Sequence, residues 1–185
     1  MRLINIIVRI LAIFPTVSMM VACQSPPVPK MGPELATTQK ENEKFIIRVT
    51  AFAQNALFVQ VAGAYYVFES RPKNESDWRE IMVFLDDDPV PIREDGIQFV
   101  NDHVAYVYMG WLYAVTTDGG HSWKVWDVWN HKQLLSQSRP GYNCIQTVTI
   151  QESGLGEMTL NLIGDVTHAE LFTEDYGVGW RLREK

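Results

Sequence analysis

The sequence predicts an all-β domain made of three four-stranded antiparallel units. Short β-type apolar runs, alternating or continuous, recur from Phe45 to the C-terminus, and helix start and stop signals are nearly absent. The same order of runs returns three times, each unit placing a Trp after its third strand.

The elements follow in chain order. Residues 1–22, MRLINIIVRILAIFPTVSMMVA, carry Arg2 and Arg9 as their only charges ahead of a short apolar run. That run is too brief to cross a bilayer, which takes about 20 residues as a helix, so the segment reads as a secretion signal. It ends at Met20-Val21-Ala22-Cys23, which resembles the lipobox of bacterial lipoproteins, with Met20 where Leu is more usual. The resemblance implies a lipidated Cys23 and a periplasmic protein. Gln24, standing where an Asp would signal inner-membrane retention, favours the outer membrane. An ordinary signal peptide cut after Ala22 would instead leave a thiol, able to pair with Cys144 in an oxidising compartment. Otherwise Cys144, inside the alternating run NCIQTVTI, reads as a small buried hydrophobe. Two cysteines give no zinc spacing.

Residues 23–44 are rich in Pro and polar side chains and lack apolar periodicity, which predicts a tether from the lipidated N-terminus to a folded domain over 45–185. The first unit, about 45–88, reads FIIRVTAF, ALFVQVAG, AYYVFES and WREIMVF. The second, about 97–130, reads IQFV, HVAYVYMG, LYAVTTDGGHSW and KVWDV; the third, about 142–185, reads CIQTVTIQ, EMTLNLIG, AELFTEDYGVGW and RLRE. Four strands per unit at this period is the pattern of propeller blades, yet closed propellers use roughly four to eight. Three blade-like units therefore predict an incomplete or compact β-propeller-like domain, monomeric by itself.

Two corners repeat in detail. TTDGGHSW, residues 116–123, and TEDYGVGW, residues 173–180, place Thr116 and Thr173, Asp118 and Asp175, Gly120 and Gly177, and Trp123 and Trp180 in equivalent slots. The first unit keeps Trp78 but replaces the corner with the longer SRPKNESDW. The spacing resembles the Asp-box, a hairpin between the third and fourth strands of blades in sialidase-like and other β-propellers. Glycine supplies the backbone angle, the carboxylate accepts from turn amides, and the Trp packs beneath. Such a corner indicates architecture, with Asp118 and Asp175 structural, and does not carry an activity.

The chain is acidic, with a formal net charge of −6, and loss of Arg2 and Arg9 with the leader makes it more so. No basic stripe or RNA-binding motif is present, which argues against nucleic acid as a partner. A sialidase would need grouped arginines; Arg48, Arg71, Arg79, Arg93 and Arg139 are dispersed. No esterase elbow, HExxH or phosphate loop occurs, so the chain reads as a non-enzyme without a cofactor. The acidic stretch LDDDPVPIREDG holds Asp86, Asp87, Asp88, Glu94 and Asp95. It reads as a solvated or protein-binding loop ahead of a calcium site, because EF-hand spacing is missing. His103, His121, His131 and His168 are scattered without ligand spacing. In WKVWDVW, strand alternation sets Trp123, Val125, Asp127 and Trp129 against Lys124, Trp126 and Val128. Trp126 or Trp129, if exposed, would be a natural protein anchor, and the competing reading is packing between blades.

Taken together, a lipoprotein signal, a Pro-rich tether and three all-β units around HVAYVYMGWLYAVTTDGGHSW resemble the immunity proteins that protect bacteria from phospholipase effectors of the type VI secretion system. The resemblance implies a periplasmic, membrane-tethered inhibitor whose partner is a cognate phospholipase. It transfers no contact residues. The first candidates for contact are the altered corner, with Arg71, Lys73, Asn74 and Glu75, and the acidic loop. Two other classes stay open: an envelope lipoprotein that binds glycan or another envelope protein through exposed aromatics, and a small glycosidase-like enzyme.

Overall fold

The computed structural model describes residues 31–54, 63–86, 90–135 and 138–183. They form three four-stranded antiparallel sheets, each a meander in chain order. The first holds β1 (Met31–Glu41), β2 (Phe45–Gln54), β3 (Ala64–Pro72) and β4 (Arg79–Asp86). The second holds β5 (Ile97–Phe99), β6 (Ala105–Met109), β7 (Leu112–Thr116) and β8 (Lys124–Asp127). The third holds β9 (Ser138–Ile150), β10 (Gly156–Gly164), β11 (His168–Thr173) and β12 (Arg181–Leu182). Helical structure among the described residues amounts to 3-10 turns at Glu94–Gly96 and Val128–Asn130 and one short α1 (Lys132–Leu135).

The all-β class and the three four-stranded units are as the sequence predicts, with one correction. Residues 31–41, expected to belong to the tether, form β1 and pair along β2 from Met31↔Gln54 to Glu41↔Ile46. The strand escaped detection because it sits at an edge, where side chains mostly face water and no apolar alternation is required. Asn42 turns the chain into β2 by accepting from the backbone N–H groups of Lys44 and Phe45 at 2.9 and 3.0 Å. The run ALFVQVAG, expected as a strand of the first unit, lies outside the described residues except for Gly63. The signal peptide and Cys23 also lie outside them.

The second sheet is the middle layer. All five residues of β6 are buried, and strand alternation divides them between two cores. Ala105, Val107 and Met109, with Ala114 of β7, face Phe45, Tyr66 and Phe84 of the first sheet. Tyr106 and Tyr108, with Tyr113 of β7, face Ile145, Met158 and Leu171 of the third. Ala105, Val107 and Ala114 of the middle sheet leave room for the aromatics of the first, and its tyrosines meet aliphatics and Trp180 of the third. The Tyr106 hydroxyl donates to the Val148 carbonyl at 2.9 Å, and burial pushes its pKa up to about 12. Cys144 is fully buried in this second core, and burial raises its thiol to about 11, the environment of an unreactive hydrophobe.

Candidate functional site

The two repeated corners share one hydrogen-bond framework. Thr116 Oγ1 donates to Asp118 Oδ1 at 2.8 Å and accepts from the Gly120 N–H at 3.0 Å; Thr173 Oγ1 does the same with Asp175 at 2.7 Å and Gly177 at 3.0 Å. Asp118 accepts from the Ser122 N–H and Asp175 from the Gly179 N–H, both at 2.9 Å. Burial disfavours both carboxylates. Hydrogen bonds from Ser122 and Thr116 outweigh it at Asp118, and those from Thr173 and Gly179 at Asp175, so each carboxyl titrates below its ordinary range. Gly120 and Gly177 sit at φ of +84° and +83°. In both corners the Thr hydroxyl and the Asp carboxylate bond within the turn.

Each corner also seats its Trp on the preceding sheet. Trp123 Nε1 donates to Ser70 Oγ of β3 at 2.8 Å, while Ser70 donates to the Gly120 carbonyl at 3.2 Å. Trp180 packs edge-on to Tyr113 of β7, with ring centroids 5.5 Å apart.

The altered corner behaves differently. Trp78 lies over its own sheet, with the guanidinium carbons of Arg48 and Arg71 at 4.0 and 5.1 Å from its ring centroid. Arg48 is held by Glu69 at 2.6 and 3.0 Å, whereas Arg71 makes one long contact to the Glu75 carbonyl, at 3.4 Å. Lys73 pairs with Glu41 at 3.3 Å, and Glu75 with Arg79 at 2.5 Å. Arg79 donates to the His121 carbonyl at 3.2 Å, so this loop leans on the intact corner beside it. Lys73 and the exposed Asn74 line a shallow cleft of about 370 Å³ against Gly119 and His121.

The structure does not gather the remaining candidates around that loop. Asp86 ends β4 at its far side, about 25 Å along an eight-residue strand from the altered corner. Asp86 is buried, and Asp87 and Asp88 lie outside the described residues. Glu94 and Asp95 are exposed in a 3-10 turn, where Arg93 clasps Asp95 at 2.9 and 2.5 Å and draws its carboxyl below the usual range. Among the described residues no group of His, Cys, Asp and Glu could hold a metal ion. Trp126 is half-buried against the core between the second and third sheets, the packing role. Trp129 is 46% exposed and stands edge-on to Trp111 at 6.5 Å, available as an anchor. The strand alternation that paired it with Trp123 stops at Asp127, which caps the turn by accepting from the Trp129 N–H at 2.8 Å.

The outward faces of both terminal sheets carry exposed apolar side chains and ion pairs, with Ile163 on the third sheet 50% exposed and Arg48 paired with Glu69 on the first. On the third sheet, Thr147 and Thr159 share a 2.6 Å hydrogen bond, and Arg183 spans Glu157 and Glu170 at 2.6 and 3.3 Å. An open cleft of about 600 Å³ lies there, and Glu157 and Glu174 on its wall are each met by an arginine, Arg183 and Arg181. On the first sheet, Val83 and Leu85 of β4 point outward, 37% and 41% exposed, across from Val67 and Tyr65 of β3. The sequence reading missed this surface. Its signal was present in WREIMVF and the Leu85 that follows it, where Val83 and Leu85 fall on the face opposite Met82 and Phe84, so both sides of the strand are apolar.

No helix among the described residues is long and apolar enough to cross a membrane. Comparison with protein-family models, curated proteins and solved structures gives no match.

Proposed function

We propose that the chain is a periplasmic immunity protein, lipid-anchored through Cys23, that binds and inhibits a cognate phospholipase effector of the type VI secretion system. The observation that carries the protein-binding part is the outward face of the first sheet. It combines exposed Val83 and Leu85 with Trp78 under two guanidiniums. Aromatic and arginine side chains beside apolar ones are the residue types that dominate the energetics of protein interfaces. Rigid stacked sheets keep such a surface preorganised, which reduces the entropy lost on association. The phospholipase as partner rests on the resemblance of the leader, tether and repeat.

Co-expression tests it. Processed full-length chain is expected to form a one-to-one complex with a lipase encoded beside it, to suppress its hydrolysis of phospholipid vesicles, and to rescue cells from its toxicity. A lipase that stays fully active in the presence of excess chain would overturn the proposal.

A further inference from the structure

We propose that β4 is an acceptor edge, pairing through its backbone with an extended basic-apolar strand of the partner protein. The inference deepens the protein-binding reading above and rests on it for the partner's existence.

Exposed strand edges offer unpaired N–H and C=O groups to any passing chain, and natural sheets blunt them by shortness, proline, charge or bulges. Among the described residues, five of the six sheet edges are treated in that way. β5, β8 and β12 are three, four and two residues long. β1 carries Pro33 and two register shifts, and β9 carries Pro140 and two more. β4 has eight residues, REIMVFLD, with no proline and no lysine, and its single register shift falls near its start, opposite Phe68 and Glu69. Beyond the ladder with β3, none of residues 79–85 enters a backbone–backbone hydrogen bond among the described residues. The apolar side chains of Val83 and Leu85 stand along this same edge, where alternate residues of an added strand would cover them.

Charge selects the occupant. Glu80 is exposed at the start of the strand and makes no ion pair among the described residues, in a chain of net charge −6. An incoming strand with Lys or Arg opposite Glu80 gains a favourable cross-strand pair. A second copy of the chain fits less well. It brings the same net charge of −6 to the edge, and symmetric antiparallel pairing centred on Val83 sets no Lys or Arg opposite Glu80.

The test uses processed full-length chain and a synthetic ten-residue peptide of alternating Val and Lys, with a Val–Glu peptide as its counterpart. Amide hydrogen exchange across residues 79–86 is expected to slow with the Lys peptide. The double variant Val83→Lys/Leu85→Lys, altered only at exposed positions and therefore expected to keep the wild-type melting temperature, should bind it about tenfold more weakly. Ile163→Lys, an exposed change on the third sheet, should bind it as wild type does. Glu80→Lys should shift preference toward the Glu peptide by roughly threefold. Absence of protection in β4, or equal binding by the double variant, overturns the inference. So does a dimer of the free chain that the double variant dissolves, which assigns the edge to a second copy. With the neighbouring lipase, a complex indifferent to the double variant removes the edge and leaves the inhibitor; peptide pairing without any lipase complex removes the inhibitor and leaves the edge.

Discussion

The intact corner at 116–123 and the altered corner at 72–79 occupy the same place in consecutive sheets, yet they do opposite things with their tryptophans. Trp123 reaches back to Ser70 on the sheet before it, as Trp180 reaches back to Tyr113. Among the described residues no sheet precedes the one that carries Trp78. This Trp folds over its own strands instead, beneath Arg48 and Arg71. The difference shows what the corner is for. Its hydrogen-bonded turn fixes the angle at which a Trp meets the neighbouring layer, and in the first sheet, which no other sheet precedes among the described residues, the Thr–Asp–Gly geometry is absent.

Substitutions can break this comparison. Trp180→Ala removes a side chain only 8% exposed between two sheets and is expected to cost about 3–5 kcal/mol in urea unfolding. Next comes Gly177→Ala. A β-carbon there would lie 2.1 Å from the Tyr113 hydroxyl at a φ of +83°, so steric clash and backbone strain add to about 3 kcal/mol. Gly119→Ala, in the equivalent corner at φ +74° but with no atom within 3.4 Å of the new carbon, should cost about 1–2 kcal/mol from strain alone. An equal loss at both glycines would mean that the corners do not bear on the preceding layer.

Smaller effects sharpen the picture. Asp118→Ala and Asp175→Ala are each expected to lose about 1 kcal/mol at neutral pH. Both carboxyls titrate below the ordinary 3.8 in the folded chain, so the stability they add is complete above that value and is lost as pH falls through their lower folded pKa values. Melting temperatures recorded from pH 6 to pH 2 should therefore fall less steeply in the double Asp variant than in wild type. Trp78→Ala is expected to change stability by under about 1 kcal/mol while weakening partner capture, the reverse of the pattern for Trp180. A loss at Trp78 as large as at Trp180 would erase the distinction between the two corners.

The sequence spoke most clearly where a residue's neighbours lie on its own strand or turn. Alternation announced β6 and β7, and the Thr–Asp–Gly–Trp spacing announced the corners, because both patterns are satisfied locally. β1 was silent, since an edge strand facing water needs no apolar period. The candidate surface was half legible. WREIMVF with the following Leu85 declared a strand with two apolar faces, but only the sheet order reveals that, among the described residues, β4 ends its sheet and Val83 and Leu85 meet no further layer. The acidic loop and the altered corner both stand out in the sequence as candidate contacts because charge draws attention to each. Eight residues of extended chain hold them apart, a length that a list of charged positions does not convey.

The middle sheet gives its two sides to two different cores, with Ala105 and Val107 in one and Tyr106 and Tyr108 in the other. Neither terminal layer then owns a hydrophobic partner that survives the loss of that sheet, so the three layers are expected to melt in concert. Calorimetry should record one transition whose measured enthalpy equals the van't Hoff value, and the cooperative unit should be the whole domain, without a stable two-layer remnant.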